Sequence, residues 1–447
     1  MKASTHGIVR AVDTHFEYED GTIYYPFGTT VYALLYQETG VYEQTMNTLQ
    51  NAPFNKIRFC IFPKHYEWNY NEPSFFPFER DGRRWDTKHP CEAYWKFLEE
   101  TIVRLDDMGI QADLILFHPY DRWGFSKLTK EEAINYLDYA VRRLSKYQNI
   151  WWSLANEYDL LEYEKKDWEC FAAFIRKNDI YKHLLSNHNA VHFWDFSNPD
   201  TTHVCLQTEN VRRVAEYLEI YHKPVIVDEC GYEGNLENNW GNLSGFEMTD
   251  RFWTVVAGGG YCTHGETFLN PEGILWWSKG GTLKGESVER IRFLRNIIES
   301  LNGPLTIQEG GYAQYSVEEV RKIAAMEPEK RPMDFRPGEY TYGMLWATDQ
   351  EICTIRQQTK RSMIHNEEDV YLYYLGTRCP AWTTIQLPAK NRYQFEVIDV
   401  WEMTREHAKT ELIEKENESE KQEVGECTYR VVLPGKPGIA VLASKVS

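Results

Sequence analysis

The sequence predicts an α/β protein: a (β/α)8 TIM barrel followed by a small all-β sandwich domain. Three observations carry this. Eight short apolar runs alternate with amphipathic helical patterns up to about residue 302. The pattern then changes to short alternating runs separated by turn residues. The length, 447 residues, suits one large domain and one small one.

The apolar runs, taken in order, are YYPFGTT (24–30), KIRFCIF (56–62), QADLILF (111–117), IWWSLA (150–155), HLLSN (183–187), HVCLQT (203–208), PVIVDE (224–229) and GGYCTHG (259–265). Several are near-continuous in hydrophobicity, as strands buried on both faces should be. Four helical patterns lie between or after them, at three- and four-residue steps. They run through Tyr94, Phe97, Leu98, Ile102, Leu105 and Met108; Ala133, Tyr136, Leu137, Ala140, Val141 and Leu144; Val211, Val214, Ala215 and Leu218; and Val288, Ile291, Leu294, Ile298 and Leu301. Between runs five and six, HNAVHFWDFSNPDTT predicts a loop or a single turn. The long loop 63–90 carries Trp68, Tyr70, Phe75, Phe76, Phe78 and Trp85 and is positioned to close one end of a cleft.

These patterns give a barrel over 1–303, a linker of mixed structure over 304–338 and a β-sandwich over 339–447. The sandwich strands are read from YTYGMLWAT, EICTIRQQ, VYLYYLG, AWTTIQLP, QFEVIDVWEMT, TYRVVLPG and GIAVLAS. The charged stretch 405–425 reads as an exposed hairpin tip.

Composition narrows the function. A net charge of −18 argues against nucleic acid and against a polybasic membrane contact, and favours a neutral or cationic substrate. The 15% aromatic content suits sugar binding, since aromatic faces stack on the C–H faces of sugars, although an aromatic core is the simpler explanation of it. The N-terminus has no apolar signal region and no run is long enough to span a membrane. The nine cysteines are scattered without a CxxC pair, which fits reduced thiols in the cytoplasm. Oligomeric state is left open.

In such a barrel the active site forms at the C-terminal ends of the strands. The polar residues there are Thr29 and Thr30; Arg58, leading to Lys64, His65 and Tyr66; His118, Tyr120 and Asp121; Asn156 and Glu157; His188 and Asn189; Gln207; Asp228 and Glu229; and His264 and Glu266. Glu157 and Glu229 follow strands four and seven, which face each other across a barrel mouth. Cleaving a glycosidic bond with retention needs one carboxyl to protonate the leaving oxygen and a second to attack the anomeric carbon. Glu233, beyond the Gly231 turn, is a rival for the second role.

Asn156-Glu157 after strand four, with Pro224-x-x-x-x-Glu229-x-Gly231 at strand seven, resembles the clan A retaining glycoside hydrolases, particularly family five. Arg58, His118 and the pair Trp276–Trp277 fall where that family keeps an Arg, a His and the Trp that floors its central subsite. The strings DGTIYYPFGTT and DECGYEG look closer still to the bacterial apiosidase-like and collagenase-named barrel proteins, which add a small C-terminal β-domain. The resemblance spans residues 8–302 and, more weakly, 339–447. It implies a retaining hydrolase of short oligosaccharides or glycosides, with Glu157 as acid/base, Glu229 as nucleophile, and no metal or cofactor. Arg58 would hold Glu229 ionised, and Asn156 would bind the sugar 2-hydroxyl. His118 would fix Arg58 or a sugar hydroxyl, Trp276 or Trp277 would form the floor, and Gln207, His188 and His264 would serve as further hydroxyl ligands. The sequence departs from family five at strand six, where HVCLQT lacks the Tyr that contacts the nucleophile; Tyr232 is the candidate to replace it. Two other readings are a catalytically inactive carbohydrate-binding barrel and a metal-dependent hydrolase using His65, His118, Asp121, His188 and His264. No compact ligand spacing supports the second.

Overall fold

A computed structural model describes residues 1–82, 84–301, 303–307, 322–323, 325–330, 348, 362–413 and 426–446. The chain divides into two compact units. The first comprises Met1–Leu305 with Asp399–Arg405, and the second Thr306–Ile398 with Glu406–Ser447.

The first unit is built on eight parallel strands: β1 (Phe27–Thr30), β2 (Lys56–Cys60), β3 (Gln111–Phe117), β4 (Ile150–Ala155), β5 (Leu185–Ser186), β6 (Val204–Gln207), β7 (Val225–Glu229) and β8 (Tyr261–His264). They pair in the order β5-β4-β3-β2-β1-β8-β7-β6. The seam between β5 and β6 is joined by side chains and loop backbone. Thr202 N–H donates to the Leu185 carbonyl at 2.8 Å, Leu185 N–H to Thr202 Oγ1 at 2.9 Å, and Ser186 Oγ to the His203 carbonyl at 2.7 Å. Farther along, Asn189 exchanges two hydrogen bonds with the Gln207 backbone. The eight sequence runs thus become the staves of a near-closed barrel, although run five keeps only two residues in strand geometry.

Helices pack outside the sheet: α1 (Thr39–Asn51), α2 (Glu92–Asp107), α3 (Lys130–Leu144), α4 (Lys165–Asn178), α5 (Val214–Tyr221), α6 (Gly245–Ala257), α7 (Trp276–Lys279) and α8 (Ser287–Ser300). Four of these carry the four periodic patterns. On α3 the buried residues are the six apolar positions of the pattern, and Thr129 and Glu132 form a capping box at its start. Helices α1, α4 and α6 were not singled out by periodicity.

Two further features lay outside the sequence reading. Residues 9–24 form a three-stranded antiparallel meander. Its Phe16 packs on Trp151 and Tyr261 with ring centroids 5.2 Å apart in each case, covering the end where the strands begin. Within the expected loop 63–90, Phe78–Asp81 and Arg84–Pro90 pair as an antiparallel hairpin.

The strands from Thr306 onward form two sheets. One runs Thr306–Ile307, β9 (Ser362–Asn366), β10 (Val370–Tyr374), β16 (Ile439–Val446), β12 (Arg392–Asp399) and β13 (Thr404–His407). The other runs β11 (Trp382–Pro388), β15 (Glu426–Val432) and β14 (Thr410–Ile413). Tyr371, Phe395 and Val441 of the first meet Ile385, Leu387 and Val431 of the second in one core. In β11 buried and exposed residues alternate, as a sandwich strand requires. Residues 405–413, expected at a hairpin tip, instead lie mostly in β13 and β14 of opposite sheets, and 414–425 lie outside the described residues. So do most of the 304–338 segment and all but Thr348 of the runs YTYGMLWAT and EICTIRQQ.

Candidate active site

Strand β4 ends at Ala155, and the next two residues turn over the barrel mouth. Asn156 N–H is held by the Phe117 carbonyl at 2.8 Å and Tyr158 N–H by the His188 carbonyl at 2.9 Å. Between them Glu157 has φ +58, in the left-handed region that a residue with a Cβ seldom occupies. Such a conformation costs about 1–3 kcal/mol and tends to occur where surrounding structure fixes a functional side chain. Across the mouth, Glu229 ends β7, where its register with Gln207 shifts by one residue.

The Glu229 carboxylate is surrounded by donors and positive charge. Arg58 Nη1 and His188 Nε2 each lie 3.6 Å from its Oε1. Tyr32 donates its hydroxyl to the same oxygen and lies 2.8 Å from Asn156 Oδ1. Burial pushes the Glu229 pKa up, but His188, Arg58, Tyr232 and Tyr32 outweigh it, and the carboxyl ends below its ordinary value. The His188 imidazole is itself held down to about 4, first by burial and then by Arg58. Near neutrality it is therefore uncharged, and Arg58 supplies the persistent positive charge.

Arg58 is set by a buried ionic lattice inside the barrel. Lys56 Nζ lies 2.8 Å from Asp113 Oδ2 and 2.7 Å from Asp228 Oδ1, and Arg58 Nε lies 3.8 Å from a carboxylate oxygen of each. Thr263 donates to Asp228 at 2.6 Å. Buried charges at this depth persist only when paired, and here each charge has a counter-charge.

Glu157 is in the opposite condition. Burial first, then the Glu229 charge, raise its pKa; Lys64 and hydrogen bonds from Tyr120 and Gln207 oppose this without cancelling it. One pocket thus holds a carboxyl pushed toward its protonated form and another pushed toward its ionised form. It has a volume of about 520 Å³, within the range of small-molecule sites.

The structure brings together most of the sequence-predicted site. Asn156, Glu157, Gln207, Glu229, Tyr232 and Trp277 line the pocket. Arg58 and His188 lie behind Glu229, buried, and touch it rather than the cavity. His188, expected as a hydroxyl ligand, is thus a partner of Glu229 instead, and three more expected ligands fall outside the lining. His118 directs Nε2 at the Phe62 carbonyl at 3.0 Å instead of at Arg58 or the cavity, and burial holds its pKa near 4. Trp276 turns inward and donates Nε1–H to Thr29 Oγ1 at 2.8 Å, which leaves the aromatic wall to Trp277. His264 stacks on Phe54 at 4.9 Å, below the mouth.

Glu233, the rival acid, is fully engaged elsewhere. Its carboxylate accepts from the backbone N–H of Glu286 and Ser287 at the start of α8 and from the Ser287 hydroxyl. Glu266 beside it accepts from Lys284 and Gly285 N–H. Ligand atoms of Glu233, His264 and Glu266 lie within 4.8 Å of one another, yet both carboxylates face the N–H groups of a helix start, which favour anions over a cation.

Tyr32, Lys64 and Tyr120 are among the wall residues to which the sequence assigns no role. Tyr32 follows β1 by two positions, and Lys64 and Tyr120 follow β2 and β3 at the strand-end level. Their position just past an apolar run was the available signal.

Residues 12–302 match the family described as "Apiosidase-like, catalytic domain", and residues 360–443 match a domain of unknown function (DUF5605). The crystal structure of a "putative glycoside hydrolase" from Bacteroides vulgatus ATCC 8482 is 32% identical, covers 99% of this chain and 83% of its own, and superposes with a TM-score of 0.79. A family 5 glycoside hydrolase from the same organism shares the fold at 14% identity, with 99% and 95% coverage and a TM-score of 0.69. Curated proteins gave no match. No helix among the described residues is long and apolar enough to cross a membrane. On the match over its barrel and the relative sharing a third of its sequence, the chain belongs to the apiosidase-like family, and its barrel is a glycoside-hydrolase catalytic domain.

Proposed function

We propose that the chain hydrolyses short oligosaccharides or glycosides with retention of anomeric configuration. The observation that carries this is the pair Glu157 and Glu229, set in one pocket by β4 and β7 and driven in opposite pKa directions. Glu229, ionised, attacks the anomeric carbon, while Glu157 gives its proton to the departing oxygen. The glycosyl–Glu229 ester is then opened by a water whose proton Glu157 takes back.

As the ester forms, the Glu229 charge disappears, and with it part of what raises the Glu157 pKa. Glu157 then becomes a better-ionised base for the second step. The acid–base switch follows from the electrostatic coupling of the two carboxyls. Asn156 and Gln207 offer polar contacts to sugar hydroxyls, and Trp277 offers a ring face. The eight described cysteines are free thiols, which supports a reducing compartment such as the cytoplasm.

The test is a panel of 4-nitrophenyl glycosides covering furanoses and pyranoses of both anomers, followed by proton NMR of the first-formed product. Release of nitrophenol with the anomeric configuration kept is the expected result. Inversion, or no turnover of any member, goes against the proposal.

A further inference from the structure

Lys64 presents an ammonium group to the pocket that holds the two glutamates, and nothing in the hydrolytic scheme uses it. It lies four residues past β2, and its backbone is fixed by Asn69, whose Nδ2 donates to the Lys64 carbonyl at 2.7 Å. The residue is 2% exposed and lines the cavity. Aromatic rings surround its Nζ: Tyr32 at 3.5 Å to the centroid, Tyr120 at 4.3 Å, Tyr66 at 4.7 Å and Trp277 at 5.9 Å.

Ring faces attract a cation but do not satisfy three N–H donors. Among the described residues the Lys64 ammonium has no hydrogen-bond acceptor and no ion pair. Burying such a group unsatisfied is costly, so an acceptor has to come from what fills the pocket. Charge decides which kind. Burial lowers the Lys64 pKa, and the neighbouring Cys60, Glu157 and Glu229 oppose this in favour of the ammonium; Glu67 and Glu209 add negative charge to the pocket wall. A bound carboxylate would bring further negative charge to a wall that is already acidic. Neutral hydroxyl oxygens give Lys64 its missing acceptors without that repulsion.

Resting on the hydrolase reading above, we infer that Lys64 is a sugar-binding residue that donates to hydroxyls of a neutral glycone, in a pocket whose acidic wall disfavours uronic acids.

The experiment compares wild type with Lys64→Met, which keeps side-chain length and suits an aromatic cage. Turnover is read on neutral 4-nitrophenyl glycosides. Binding is read separately, by ligand-observed NMR, with free neutral monosaccharides and with glucuronate. Loss of a hydrogen bond to a charged donor corresponds to about 10- to 100-fold. Lys64→Met should weaken binding and raise KM by that factor while the melting temperature stays near wild type. Monodeoxy versions of the bound sugar should show the same loss with wild type and little further loss with Lys64→Met, which a merely structural role would not produce. If Lys64→Met fails to fold, Lys64→Leu, which also lacks a donor, is read in the same two assays; loss of the monodeoxy discrimination there supports the inference, and its persistence overturns it.

Unchanged binding and KM in Lys64→Met overturns it, as does glucuronate binding more tightly than neutral sugars to wild type, or wild type binding no sugar of the panel. If wild type binds a neutral sugar through Lys64 but hydrolyses no glycoside, the inference stands and the hydrolytic reading fails. If wild type hydrolyses a glycoside and Lys64→Met matches it, the reverse holds.

Discussion

The Tyr32 hydroxyl donates a hydrogen bond to the Glu229 carboxylate. It has one proton and two neighbouring acceptors, Glu229 and Asn156, and the charged carboxylate is the stronger of the two. A tyrosine just past the first strand therefore meets the position where the resemblance to family five led one to expect a tyrosine from strand six. Tyr232, the replacement expected from sequence, is present as well and also lowers the Glu229 pKa.

Tyr32→Phe should accordingly reduce kcat/KM by about 10- to 100-fold, the range for a hydrogen bond to a charged group. Tyr32 lowers the Glu229 pKa, so removing the hydroxyl raises it, and the acid limb of the kcat/KM profile should move to higher pH. An unmoved acid limb would separate Tyr32 from the ionisation of Glu229.

The two glutamates should respond differently to leaving-group quality. Glu157→Gln should slow poor leaving groups by about 10²- to 10⁴-fold while sparing activated ones that need no proton. Glu229→Gln should abolish both by about 10⁴-fold or more. In wild type, activity requires Glu229 ionised and Glu157 protonated. The acid limb then belongs to a carboxyl below its ordinary range and the alkaline limb to one above it. Glu157→Gln should lose the alkaline limb on an activated substrate, and a limb that persists would belong to another group.

Glu233 should matter to the fold and not to the chemistry. Its carboxylate holds three donors at the start of α8, so Glu233→Gln should lower stability by about 1–3 kcal/mol in denaturant titration. At a temperature where the variant is folded, kcat/KM should stay within about threefold of wild type, since the Glu233 carboxylate is turned to the start of α8 and does not line the pocket. A collapse of turnover in folded Glu233→Gln would restore it as the rival nucleophile.

Glu266 supplies a pH signature of stability. Burial, the main cause, raises its pKa to about 7 in the folded chain, against about 4.3 for a free glutamate. A raised folded-state pKa favours the protonated fold. The stabilisation is complete below the unfolded value and is lost as pH rises through about 7. Glu266→Gln should flatten the melting temperature between those two values. An unchanged slope would show that Glu266 does not titrate there.

Much of this was legible in the sequence for a physical reason. A parallel strand covered on both faces must be apolar along its length, so β3, β4 and β7 stand out and their last polar residues mark the mouth. Strand β5 stood out less reliably, because only Leu185 and Ser186 keep strand geometry and side chains join the seam beside them. Direction was harder than position. Trp276 and Trp277 are neighbours, yet one points at Thr29 and the other at the cavity, a difference set by the short helix α7 rather than by composition. Glu229 and Glu233 were distinguishable only once the start of α8 was seen to need an acceptor. Lys64 reads as an ordinary loop lysine until its four rings, from the segments after β1, β2 and β3 and from α7, are assembled around it.

The central claim is that Glu229 forms a bond to the sugar. Incubation with the 2-deoxy-2-fluoro glycosyl fluoride of whichever glycoside is turned over, followed by proteolysis and peptide mass spectrometry, reads that bond directly. The account predicts one added glycosyl group, located on Glu229 and absent in Glu229→Gln. A label on Glu233, or steady turnover with no covalent adduct on any carboxylate, would contradict it.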